Sequence, residues 1–138
     1  MALKQLEQEA PMPDRRRCLR IATLSLLAAM APLAAATPSE QEHKLIMALI
    51  ARVQGMTTMK FLRNDEAHDA ADAAEHMQAK YKHFNKEIVT AEDFIERCAS
   101  RSELTGKPYM VKLADGKTRE ARGFLMQELR AMRQQGRG

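Results

Sequence analysis

A chain of 138 residues implies one domain and one core, and 45% hydrophobic against 29% charged residues, with 6 Gly and 5 Pro, excludes low-complexity, collagen-like and disordered classes. The absence of Trp, with 2 Tyr, 4 Phe and 10 Met, predicts an Ala/Leu/Ile/Met core that suits packed helices better than an aromatic-rich sandwich. A net charge of +4 and pI near 9.3 raise nucleic acid as a partner, and that inference depends on what the first 36 residues are.

Arg15, Arg16, Arg17 and Arg20 precede a 16-residue uncharged run, IATLSLLAAMAPLAAA, from Ile21 to Ala36. A basic stretch, an apolar stretch and then small residues is the order of a secretory signal peptide. Ala34 and Ala36 fit the small-residue requirement of the peptidase at positions −3 and −1, which places the mature start at Thr37. The run is short of the ~20 residues that span hydrocarbon and contains Pro32, so no stable membrane anchor is expected after cleavage. A start at Met12 would give a 25-residue leader without Glu7 and Glu9. Export to the periplasm by the Sec route is expected, with the twin-arginine route as the alternative because Arg15–Arg20 loosely matches that signal. Removing residues 1–36 leaves 17 basic against 15 acidic residues and one cysteine, Cys98. A net charge of +2 with no basic, aromatic-interleaved stripe excludes a nucleic-acid footprint, and a lone cysteine excludes an intramolecular disulfide.

From residue 37 the pattern predicts a single helical domain over 37–133 and a disordered tail over 134–138. Ser39 with Glu42 forms a capping-box signature, and Leu45, Ile46, Leu49, Ile50 and Val53 mark a first helix over about 40–54, ended by Gly55. Met56 to Leu62 reads as a connector or extended segment. Asn64 or Asp65 is the expected cap of a second helix reaching Phe84, with Ala67, Ala70, Ala71, Ala74, Met77, Tyr81 and Phe84 on its buried arc. On that helix His68, Asp72, His76 and Lys80 would line the other side. Thr90 and Asp93 cap a third helix to about Ser100 with Phe94, Ile95 and Cys98 inward, Cys98 being a buried core thiol. Ser100 to Pro108 is a loop, and residues 109–113 pair with about 117–120 in a hairpin around Asp115-Gly116. Phe124, Leu125, Leu129 and Met132 mark the last helix. The fold class is mainly α (α+β): four helices with a small β-hairpin before the last.

The chemistry is sparse. Positions 68 and 76 lie about 12 Å apart along one helix, from 1.5 Å per residue, so both histidines cannot hold one ion. His68 with Asp72, or Asp72 with His76, is left as a half-site, against a solvated face of i,i+4 pairs as the bland reading. Ser100 and Ser102 lack a G-x-S-x-G elbow, and the inward Cys98 is poorly placed as a nucleophile. No metal or other cofactor is expected.

The segments FLRNDEAH (61–68), AEHMQAKY (74–81), TAEDFI (90–95) and ASRSELTGKPYMV (99–111) resemble the YfeK-like family over about residues 42–132. In that family the motif runs F-[IL]-R-N-G, then A-x-x-H-[LM]-x-x-K, then F-I and A-S-x-S-x-x-[ST]-G-x-P-Y. Here Asp65 stands where the family usually has Gly, and Arg101-Ser102-Glu103 replaces a Ser-rich run. The resemblance implies small exported bacterial proteins built on a domain of unknown function, with no established activity. The residues singled out for binding are Arg63, Asn64, His76, Lys80, Ser102, Gly106, Pro108 and Tyr109, with the 105–109 loop expected to fold over the His76 face. The bland reading of the same residues is architectural: Asn64 a cap, Gly106 and Pro108 turn formers, Arg63 paired with a helix end. The expected role is a non-catalytic binding or interaction module whose partner is an envelope protein or a small ligand. A small hydrolase or metal-dependent enzyme using His76 with Asp72 or Ser102 is the alternative, and a structural envelope factor a third reading.

Overall fold

The computed structural model describes residues 37–138, so the leader and its cleavage site lie outside the described residues. Helix α1 (Glu40–Gln54) opens on Ser39, whose hydroxyl accepts the Glu42 amide at 3.2 Å, and buries Ile46, Leu49, Ile50 and Val53. These four lie on one stripe at helical spacing, as the sequence requires. Strands β1 (Lys60–Arg63) and β2 (Glu66–His68) then form an antiparallel hairpin.

This hairpin corrects the expected start of the second helix. Asn64 and Asp65 are its two-residue loop, with φ of 51° and 68°, the positive values that a type I′ turn requires at both positions. Helix α2 (Ala70–Phe84) is capped instead by Asp69, whose carboxylate accepts the Asp72 amide at 2.9 Å. Ala67 and His68 therefore belong to a strand, and the expected row of His68, Asp72, His76 and Lys80 along one helix does not form. Ala71 is exposed, whereas Ala70, Ala73, Ala74, Met77 and Tyr81 are buried together with Lys80.

A 3-10 turn (Asn85–Glu87) leads to α3 (Ala91–Cys98). Thr90 and Asp93 exchange backbone and side-chain bonds across its first turn as a capping box, and Phe94, Ile95 and Cys98 face inward. Strands β3 (Met110–Lys112) and β4 (Thr118–Glu120) turn at Gly116, whose φ of 85° suits glycine. The last helix, α4 (Ala121–Gln135), takes in Gln134 and Gln135, two residues beyond the expected end. Among the described residues no helix is long and apolar enough to cross a membrane.

The two hairpins join through β1 and β3 into one antiparallel sheet of order β2-β1-β3-β4, so the α+β architecture holds with a larger sheet than the second hairpin alone. Side chains directly opposite one another on adjacent strands share a face. Phe61 stands opposite both Val111 and His68, and Phe61 and Val111 are buried, which defines the inward face. Arg63 and His68 share that face by the period-two rule and point the same way as the core. Against it pack α2 and α4, the latter through Leu125 and Leu129, and α1 (Ile46, Leu49) and α3 (Phe94, Ile95) complete the core together with Ile88 from the segment before α3.

Candidate functional site

The inward sheet face ends in polar side chains at the β1–β2 hairpin, and α2 lies across it. Helical spacing puts Ala73, His76, Met77 and Lys80 on the side of α2 that meets the sheet. Two adjoining hollows result. The inner one, a cavity of about 30 Å³ with room for one or two waters, has a largely apolar lining that includes Phe61, Met77, Ala99 and Ala121. The outer one, about 270 Å³, is lined by Arg63, His68, Asp72, Glu75, His76 and Ala79. The three residues common to both are Arg63, His68 and His76, all basic side chains.

Each of the three is short of partners. Arg63 makes no ion pair among the described residues. His68 Nε2 is shielded from solvent without a hydrogen bond, the Glu66 carboxylate standing 3.9 Å away. His76 Nε2 makes one long contact, 3.4 Å, with the Tyr109 hydroxyl, the two rings meeting edge to face. Burial, reinforced by the charges of Arg63, Lys80 and His68, pushes the His76 pKa down to about 4. At neutral pH His76 is therefore uncharged, offering one N–H and one lone pair.

Lys80 lies one turn further along α2. It is only 9% exposed, which corrects its expected place on a solvated face. Its ammonium has no hydrogen bond; Glu103 Oε1 stands at 4.0 Å and the Tyr109 ring centroid at 5.4 Å. Burial lowers its pKa, with Glu103 opposing the shift. The segment from Ser100 to Tyr109 thus straps over α2 at two points, through Glu103 above Lys80 and Tyr109 above His76.

The other expected binding residues lie elsewhere. Asn64 and Pro108 line a separate hollow beside Asp65 and Lys107, where Asn64 Oδ1 accepts the Thr105 hydroxyl at 2.7 Å and Lys107 pairs with Asp65 at 2.8 Å. Asn64 is a turn residue there, not a helix cap. Ser102 and Gly106 line a third hollow with Glu96, Arg97 and Arg101. The buried Ser102 hydroxyl accepts the amides of Leu104 and Thr105, both at 3.3 Å, and Gly106 holds φ of 71°, so both shape the loop. His76 and Ser102 line different hollows and form no nucleophile–base pair. Ser100 donates to the Ile95 carbonyl at 2.7 Å, and burial pushes the Cys98 thiol up to about 11, so neither is an activated nucleophile. His68, read from the sequence only as part of a half-site with Asp72 on a helix, enters the site from a strand; the signal for this was the Asn64-Asp65 hairpin turn, which reassigns Glu66–His68 to a strand facing α2.

Fold and site together define a small α+β domain with a half-buried recess of Arg63, His68 and His76 between one helix and the inward face of an antiparallel sheet. Residues 40–133 match the model of a family of unknown function, DUF5329, and the chain belongs to that family. Over 74 residues it is 35% identical to the uncharacterized protein YfeK of Salmonella typhimurium, a match covering 54% of this chain and 62% of the relative. The match thus spans less than two thirds of that relative's length. No solved structure matches the chain significantly.

Proposed function

We propose that the protein is an exported, non-catalytic binding module whose ligand contacts are gathered at the Arg63–His68–His76 recess. The observation that carries this reading is the convergence of three basic side chains from β1, β2 and α2, none fully partnered, around hollows that adjoin the core. His68 Nε2 is buried without a hydrogen bond, which costs free energy, and a group arriving beside Arg63 and His76 would relieve that cost. The serines nearest in sequence are occupied by backbone bonds and the one described thiol is held protonated, which favours binding over acyl or thiol chemistry. Export rests on the leader pattern of residues 15–36.

Two measurements test this. Intact-mass analysis of the protein recovered from the periplasm should find Thr37 at the amino terminus; an unprocessed chain confined to the cytoplasm contradicts export. A photo-crosslinking residue at Ala79, on the rim of the outer hollow, should give a specific adduct that Arg63→Ala abolishes. The same adducts with and without Arg63, or none, would count against the recess as the binding site.

A further inference from the structure

The outer hollow carries both signs of charge. Arg63, His68 and His76 form its inner boundary, and Asp72 and Glu75 enter only its outer lining. Asp72 and Glu75 are three residues apart on α2, so their side chains are neighbours on one helix face. Neither carboxylate makes an ion pair among the described residues, and Arg63 does not close on either of them within 4.0 Å. A guanidinium from the sheet and two carboxylates from α2 thus line one shallow, open hollow of about 270 Å³.

The chemistry of the two walls narrows what fits between them. A guanidinium presents a planar fork that matches a carboxylate in bidentate fashion, and His68 adds a further nitrogen without a hydrogen bond, the solvent-exposed Glu66 carboxylate standing 3.9 Å from it. A dianionic phosphate would satisfy that wall but face Asp72 and Glu75 at close range, where like charges repel. A simple cation would be met by Arg63. A molecule bearing one charge of each sign, a few bonds apart, satisfies both walls at once. Resting on the binding reading above, we infer that the outer hollow binds a small zwitterion of the amino-acid class, its carboxylate toward Arg63 and His68 and its ammonium toward Asp72 and Glu75.

The test is an NMR titration of the protein with L-alanine, acetate, methylammonium and inorganic phosphate in turn, following the His68 and His76 imidazoles and the Ala79 methyl group. Alanine is expected to give saturable shifts at a dissociation constant at least tenfold below that of acetate or methylammonium, with phosphate giving none. Arg63→Gln should abolish the response. Asp72→Asn, at an exposed first-turn position that leaves the sheet untouched, should weaken alanine while sparing acetate. Saturable binding of acetate or phosphate as tight as alanine, or alanine binding indifferent to both substitutions, overturns the zwitterion. Binding of acetate or phosphate alone overturns the zwitterion but leaves the recess as a binding site, whereas no saturable response to any of the four, together with no Arg63-dependent crosslink, counts against both readings.

Discussion

Asp65 occupies a backbone position that its side chain disfavours. Its φ of 68° is in the left-handed region, where an L-residue other than Asn or Asp loses roughly 1–2 kcal/mol and those two somewhat less. The exposed ion pair from Lys107 at 2.8 Å offsets part of this, although such pairs contribute only about 0–1 kcal/mol. Asp65→Gly restores the Asn-Gly pair that type I′ turns favour and should raise stability by about 0.5 kcal/mol in urea denaturation. A loss of stability would show that the Lys107 contact outweighs the turn strain. The resemblance to the family motif brought Arg63, His76 and Tyr109 together as candidates, and a polar residue off the apolar arc, as His76 is, needs another explanation than packing. Lys80 was misread for the same reason: its ammonium lies buried 5.4 Å from the Tyr109 ring centroid, a tertiary burial that helical spacing does not report.

Among the elements, α1 and α3 were legible because a local cap and a local stripe agree, Ser39 with Ile46 to Val53 and Thr90 with Phe94 to Cys98. The β1–β2 hairpin was not. Asn64-Asp65 serves equally as a cap or as a turn, and an alanine-rich run after it hides where the helix begins; pairing with β3, some 50 residues away in sequence, decides the matter. The helices are also joined by charge. Glu42, in the first turn of α1, accepts the Ala91 amide at the start of α3 at 2.7 Å and pairs with Arg133 of α4 at 3.0 and 3.1 Å. Arg133 also bonds Glu92 at 2.7 Å. The Arg133 guanidinium, more than the Ala91 amide, holds the Glu42 carboxyl below its usual range against the opposing effect of burial. Its stabilising contribution is therefore present above the ordinary carboxylate range and lost as the pH falls through the lowered value. Glu42→Ala should cost about 2 kcal/mol, since it strips an acceptor from Ala91 and a partner from Arg133, and Glu42→Gln less because it keeps an acceptor. Equal losses for the two would show that charge alone carries the contact.

At the scale of the whole molecule, one core holds the recess in place. Phe94 is fully buried and meets Tyr81 edge to face at 5.6 Å, so Phe94→Ala should cost about 3–5 kcal/mol, read by chemical denaturation. A loss under 1 kcal/mol would mean the cavity refills by collapse of the helices. His76 reports on the entire arrangement, because its environment is assembled from α2, the β1–β2 hairpin and Tyr109 before β3. With a pKa of 6.5 when exposed and about 4 in the fold, the unfolded chain binds the extra proton between those values. The contribution to stability is thus fully present above about pH 6.5 and lost as the pH falls toward 4, and His76→Gln should flatten that part of the profile. The most direct test of a recess that buries His76 beside Arg63 is an NMR titration of the His76 imidazole. A midpoint near 4, rising when Arg63 is replaced by Ala, is the result the structure predicts; a midpoint at or above 6.5 that ignores Arg63 would contradict it.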